Sequence, residues 1–165
     1  MNDQTSSQNK KSPPLAASAL EFPILPASWH DLAALSHLEK QCFSPDDAWS
    51  FLDRLAVLTL PGVVRLKAET EGEMIAFVAG ERKPEKAIGW ITTLAVMPGF
   101  RRRGIATSLI AACEKELQTQ VIRLSVRRSN LSALGLYERV GYLQVGVWPK
   151  YYIGGEDALV LEKKY

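Results

Sequence analysis

Leu94-Ala95-Val96-Met97-Pro98-Gly99-Phe100-Arg101-Arg102-Arg103-Gly104-Ile105-Ala106-Thr107-Ser108-Leu109 is the stretch from which the rest of the chain can be read. Residues 91–96 are apolar and partly β-branched, which predicts a buried strand. Pro98-Gly99 breaks it. From Gly104 onward Ile105, Leu109, Ala112 or Cys113, and Leu117 recur at helical spacing. Three arginines therefore stand at the mouth of a helix. A helix start offers unpaired N–H groups and the positive end of the backbone dipole, so it suits an anion. Gly104, lacking a Cβ, lets a phosphate come close to the backbone, and Arg101, Arg102 and Arg103 add forked cationic donors. The physical reading is a phosphate or pyrophosphate site at a strand-to-helix junction. It is not a Walker loop, because the Gly-Lys-Ser/Thr ending is absent. Nor is it the dinucleotide fingerprint, which needs three spaced glycines.

Working upstream, hairpin signals dominate. Residues 88–96 form one strand, preceded by a turn at Pro84 to Lys86. A strand over 74–80 pairs through Glu71-Gly72 with one over 63–69, where Val64 and Leu66 alternate with Arg65 and Lys67. Pro61-Gly62 turns into that pair. A second helix is predicted from Pro45 or Asp46 to Leu58, with Trp49, Leu52, Leu55 and Ala56 on one face. Ser28 caps a first helix over 29–41 that carries Leu32, Leu35 and Leu38. Residues 22–27 read as the first strand. Residues 1–21, rich in Ser, Gln, Asn, Lys, Pro and Ala, read as a disordered tail.

Downstream, residues 121–126 form a strand with Ile122, Leu124 and Val126 on one face and Val121, Arg123 and Ser125 on the other. Ser129 or Asn130 caps a short helix that ends at Val140, with Gly141 as its stop. Residues 142–148 and 158–161 are the last strands, joined by a loop holding Tyr151, Tyr152 and Gly154-Gly155. The order is strand, two helices, three strands, helix, strand, helix, two strands. That predicts one α/β domain over 22–165.

Composition narrows the class. The chain has 165 residues, 47% of them hydrophobic, and a formal charge of +2. That suits one ordinary soluble domain with a real core. No long basic stripe argues for nucleic acid, and no apolar run reaches membrane-spanning length. Cys42 and Cys113 lack metal-ligand spacing, so no metal site is expected. Cys113 falls on the apolar face of its helix and reads as core. A reducing cytoplasm is the default compartment.

Arg101-x-x-Gly104-x-Ala106 after Leu-Ala-Val resembles the acetyl-coenzyme A loop of the GNAT superfamily of N-acetyltransferases. Asn130-x-x-Ala133-x-x-x-Tyr137-Glu138-x-x-Gly141-Tyr142 resembles the second signature of that family. The resemblance covers about residues 22–165, most strongly after 88. It implies a mixed, mostly antiparallel central sheet, splayed between the fourth and fifth strands and flanked by helices. It implies acetyl-coenzyme A as cosubstrate. Backbone groups of Leu94, Ala95 and Val96 would meet its pantetheine arm, and Arg101, Arg102, Arg103, Gly104, Ile105, Ala106 and Thr107 its pyrophosphate. Asn130 resembles the asparagine near that arm, and Tyr137 the tyrosine that serves as general acid. On residue chemistry alone Asn130 also reads as a helix cap, and Tyr137 as a core aromatic.

The chain departs from the family at two positions. Members often carry a general base where this chain has Trp90, or where it has Ser125; neither can act as a base near neutral pH, so the base, if any, is a different residue or a water chain. Magnitudes then favour a low-pKa acceptor. An α-amino group of pKa about 7.7–8.0 is roughly one-tenth neutral at pH 7, whereas a lysine amine near 10.4 costs about 4–5 kcal/mol to deprotonate there. Arg127-x-Ser129-Asn130, Leu136-Tyr137-Glu138, and Lys150-Tyr151-Tyr152 followed by Glu156-Asp157-Ala158 resemble protein N-terminal acetyltransferases of the RimI type. By that resemblance Tyr151 and Tyr152 line the peptide channel with the Phe43-Ser44-Pro45 loop opposite, and Trp90 and Ser125, at the two base positions, count among the acceptor-binding residues. Paired tyrosines covering a hairpin edge are the alternative. Two other functions stay open at this stage: acetylation of a free small amine, such as a polyamine, an amino acid or an aminoglycoside, and a non-catalytic coenzyme A-binding module. The sequence leaves monomer and homodimer both open.

Overall fold

Tight turns and alternating side chains build the first half of a sheet as hairpins, and helices cover what the hairpins bury. The computed structural model describes residues 22–45, 47 and 49–165. In chain order the elements are β1 (Ile24–Pro26), α1 (Leu32–Cys42), α2 (Phe51–Thr59), β2 (Val63–Thr70), β3 (Glu73–Lys83), β4 (Ile88–Val96), α3 (Ile105–Leu117), β5 (Val121–Arg127), α4 (Leu131–Arg139), β6 (Leu143–Trp148) and β7 (Ala158–Lys164). Short 3-10 turns occupy Trp29–Asp31, Pro84–Lys86 and Pro98–Phe100. The seven strands form one sheet in the order β1-β2-β3-β4-β5-β7-β6.

Every pairing in the sheet is antiparallel except β4 with β5. A parallel pair needs a crossover between its strands, and α3 supplies it. This one parallel pairing is short. It runs from Ile88 opposite Val121 to Ile91 opposite Leu124 and stops. Beyond it residues 92–96 of β4 and 125–127 of β5 continue without a ladder between them. The sheet thus opens as a wedge where the resemblance places it.

β3 lies inside the sheet and is buried from Met74 to Gly80, because helices cover both its faces. α3 packs over β2, β3 and β4, and α1 packs over β3 and β4. The core joins Ile75, Phe77 and Val78 to Leu35 and Leu38 of α1 and to Leu109, Ile110, Cys113 and Leu117 of α3. Cys113 is fully buried, and burial pushes its thiol up to about 12, so it packs as a hydrophobe. A buried polar knot ties α3 to the far strands. The Glu114 carboxylate accepts from the Tyr142 hydroxyl (2.9 Å) and from Lys163 Nζ (3.0 and 3.1 Å).

Several boundaries differ from the sequence reading, for local reasons. The first strand shrinks to Ile24–Pro26. The first helix opens with a 3-10 turn before α1. α2 starts at Phe51, because Ser50 and Asp53 form a capping box: the Ser50 side chain accepts from the Asp53 N–H, and the Asp53 carboxylate accepts from the Ser50 N–H at 3.0 Å. That cap outcompetes the start at Pro45, which lies in a turn, while Asp46 lies outside the described residues. The buried side of α2 is also corrected. Val57 and Leu58 face the core, and Leu52 is 71% exposed. β3 runs past Gly80 to Lys83, with a register shift between Ala79 and Gly80. The last strand extends to Lys164. The predicted tail over 1–21 lies outside the described residues.

Candidate active site

The arginine loop closes the end of β4. Arg102 (φ +64°) and Gly104 (φ +80°) both take left-handed backbone, which costs the arginine roughly 1–2 kcal/mol. The glycine is there for that conformation and for room: a Cβ built on Gly104 meets no atom within 4 Å, so the space before the helix is open. α3 then begins at Ile105, and the first N–H groups of an α-helix, here those of Ile105, Ala106 and Thr107, have no intrahelical acceptor. Arg101 folds back and donates from Nε to the Val96 carbonyl at 3.0 Å. Arg103 lies over the Phe100 ring at 5.2 Å. Among the described residues none of the three arginines is paired with a carboxylate, so the loop presents cationic charge beside an open helix end. These residues fit a diphosphate-bearing ligand. Leu94, Ala95 and Val96, paired with β3 but past the end of the ladder with β5, fit a ligand that meets backbone from the wedge.

Asn130 and Tyr137 belong to α4. The Asn130 side chain caps the helix, accepting from the Ala133 N–H at 3.1 Å, so the cap reading is realised in the structure. Its side-chain NH2 remains a donor that the cap does not use. Tyr137 is 7% exposed and packs edge-on to Tyr142 at 5.7 Å. Burial, then the neighbouring Tyr152 hydroxyl, push its pKa above the ordinary tyrosine value. Among the described residues its hydroxyl has no hydrogen-bond partner.

Trp90, Ser125, Tyr151 and Tyr152 converge, whereas Phe43 stands apart against the core. Trp90, on β4, pairs in register with Glu81 of β3 and Arg123 of β5. Its ring meets Trp148 at 5.6 Å, Trp148 meets Tyr151 at 5.1 Å, and Tyr151 meets Tyr152 at 5.1 Å. An aromatic wall thus runs from β4 to the loop between β6 and β7. Burial raises the Tyr152 hydroxyl, with the Ser125 hydroxyl beside it opposing. Ser125 lies on β5 just past the end of its ladder with β4, while still paired with Val160 of β7, and it and Tyr137 both neighbour Tyr152. Phe43 sits at the end of α1, partly buried against the core.

One guanidinium joins the two sides. Arg127 is bidentate on Asp47 (Nε to Oδ2 at 3.0 Å and Nη2 to Oδ1), and its Nη1 donates to Glu156 at 2.9 Å. It lies 4.2 Å over the Tyr152 ring. The arginine holds the Asp47 carboxyl below its usual range, and Ser129 and then Arg127 do the same for Glu156. Arg127 and Glu156 stand within motifs of the sequence, whereas Asp47 and Trp148 belong to none. The Asp47 contact spans 80 residues, and no local pattern announces it. Trp148 had one signal, an aromatic three residues before Tyr151.

The model of the acetyltransferase (GNAT) family matches residues 28–142. The catalytic subunit NAA10 of the N-terminal acetyltransferase A complex of Arabidopsis thaliana is 32% identical over 144 residues, 83% of this chain and 74% of that protein. The N-alpha-acetyltransferase RimI of Mycobacterium tuberculosis is 28% identical over 138 residues, 81% of this chain and 86% of that protein. Among solved structures, the ribosomal-protein-S18-alanine N-acetyltransferase of Escherichia coli superposes with a TM-score of 0.77 at 24% identity, over 87% of this chain and 93% of that one. Arabidopsis thaliana NAA60 in complex with acetyl-CoA gives 0.76 at 20% identity, over 87% and 98%. With the wedge, the arginine loop and both signatures in place, the chain belongs to the GNAT family of acetyltransferases.

Proposed function

We propose that this chain is an N-acetyltransferase that moves an acetyl group from acetyl-coenzyme A to the α-amino group of a peptide or protein N-terminus. The observation that carries the reading is the wedge between β4 and β5. One of its edges, residues 92–96, leads directly into the arginine loop and the start of α3. Its other edge carries Ser125, next to Tyr152 and Tyr137. NAA10 and RimI, both named for N-terminal acetylation, support the choice of acceptor.

Bound acetyl-coenzyme A supplies an activated acyl group on sulfur. Leu94, Ala95 and Val96 would hold its arm through backbone groups, with the Asn130 amide beside it. Residues 101–107 would hold its diphosphate through three guanidiniums and the N–H groups at the start of α3. Tyr137 keeps its proton across the working pH range and would supply it at the departing sulfur, and the proton that the acceptor nitrogen sheds as the C–N bond replaces the C–S bond would restore the phenol. Trp90, Trp148, Tyr151 and Tyr152 bound the acceptor channel and exclude water from it. With no base at Trp90 or Ser125, an acceptor that arrives neutral is favoured, and an α-amine does so far more often than a lysine.

An acceptor panel tests this. Coenzyme A release is followed with peptides bearing free Ala, Ser or Met termini, the same peptides N-terminally blocked with an internal lysine, spermidine, free amino acids and an aminoglycoside. Turnover confined to free-terminus peptides is the expected result. Turnover confined to small amines would move the assignment to that class and leave Tyr151 and Tyr152 as structural aromatics.

A further inference from the structure

We propose that Arg127 is a positioning residue that sets the width of the acceptor cleft. It does so by holding the loop before α2 against the loop between β6 and β7. The proposal rests on the acceptor reading above, and its physical basis is separate from that reading.

Asp47 and Glu156 belong to loops far apart in sequence, and each carries a negative charge. Both carboxylates lie within hydrogen-bond distance of one guanidinium, so the fold brings two negative charges close together there. Arg127 turns their repulsion into attraction. Its planar fork gives two bonds to Asp47 and one to Glu156, and its flat face rests on Tyr152. Glu156 in turn accepts from the Ser129 N–H at 2.7 Å, at the entry to α4. The same guanidinium therefore touches both loops and orients Tyr152, whose hydroxyl neighbours Tyr137. It acts through these partners.

A lone surface ion pair contributes little. Arg127 differs because removing it leaves two like charges facing each other across the cleft, so the loops part. A lysine cannot replace it, since one ammonium lacks the fork and the stacking face.

The test uses the full chain. Hydrogen exchange is measured on peptides covering residues 42–50 and 149–157. Calorimetry gives affinity for coenzyme A, and steady-state kinetics use the best free-terminus peptide. In Arg127→Gln both loops should exchange faster together, and KM for the peptide should rise about tenfold or more. Coenzyme A affinity should stay within about twofold. Asp47→Asn added to Arg127→Gln removes the repulsion and should restore part of the lost KM, a rescue that a merely structural role would not give. Arg127→Lys, which keeps the charge, should fall between wild type and Arg127→Gln, and it serves if the glutamine variant folds poorly. Unchanged exchange in both loops with an unchanged peptide KM would overturn the proposal, as would a double variant worse than Arg127→Gln. If the wild-type chain acetylates no peptide, that result counts against the acceptor assignment alone. Concerted loosening of the two loops would still establish the clamp.

Discussion

Tyr137→Phe separates catalysis from packing at one atom. The ring keeps its place: it stays buried and edge-on to Tyr142 at 5.7 Å. Only the hydroxyl goes, and that group has no hydrogen-bond partner among the described residues. Removing it should therefore change stability by less than about 1 kcal/mol. By contrast, Tyr137→Ala would hollow out the core beneath α4 and cost about 3–5 kcal/mol. If the hydroxyl supplies the proton at the departing sulfur, turnover in Tyr137→Phe should fall about 10²-fold or more, the usual scale for an acid–base group. Affinity for coenzyme A should hold, because the arginine loop and β4 are untouched. The raised pKa adds a sign: Tyr137 stays protonated past pH 10, so its loss of acid function cannot appear as a limb below that pH. The assay is thiol release with a free-terminus peptide, alongside calorimetric titration of coenzyme A and thermal melting. Wild-type turnover in a stably folded Tyr137→Phe chain would refute the acid role and return the residue to the core.

Gly104→Ala places a Cβ where backbone at φ +80° disfavours it and where the ligand-facing space is open. Stability should drop by about 1–2 kcal/mol, and coenzyme A affinity, read by calorimetry, should fall by more than that strain explains. Glu114→Ala orphans the buried Tyr142 hydroxyl and the half-buried Lys163 ammonium. It should cost about 3 kcal/mol, or roughly 10 °C in Tm, while leaving coenzyme A affinity unchanged. Between pH 6 and 9 the rate should follow one ascending limb, whose midpoint moves with the pKa of the acceptor amine. Asp47 and Glu156 have depressed pKa values, so the contribution of the Arg127 clamp is complete above the ordinary carboxylate range and is lost only as pH falls through their lowered values. A midpoint that ignores the acceptor would mean that an enzyme group sets the limb.

What could be read from the sequence was local. The junction from residue 91 to 117 follows from an apolar run, a Pro-Gly break and a helical repeat, all within a few residues of one another, and β4, the loop and α3 lie where that pattern puts them. The β2–β3–β4 hairpins were legible from Glu71-Gly72 and Pro84 for the same reason. The start of α2 was misread because Pro45 and Ser50 both offer helix starts. The reciprocal bonds between Ser50 and Asp53 decide it, and their strength cannot be ranked by eye. Asp47, Trp148 and the partnership around Arg127 depend on which strands lie side by side, which follows from the crossover through α3 rather than from neighbours in the chain.

The gap between β4 and β5 has a thermodynamic side. A sheet ordinarily ends at its rims; here a second pair of rims lies inside the fold, where residues 92–96 run beside β3 on one side and have no ladder with β5 on the other. A molecule that fills the gap completes a part of the sheet that the chain leaves unfinished. Binding then adds to folding by mass action: at a hundredfold excess over Kd the native state gains about 2.7 kcal/mol. The melting temperature of this protein is therefore a property of its cosubstrate supply as well as of its sequence.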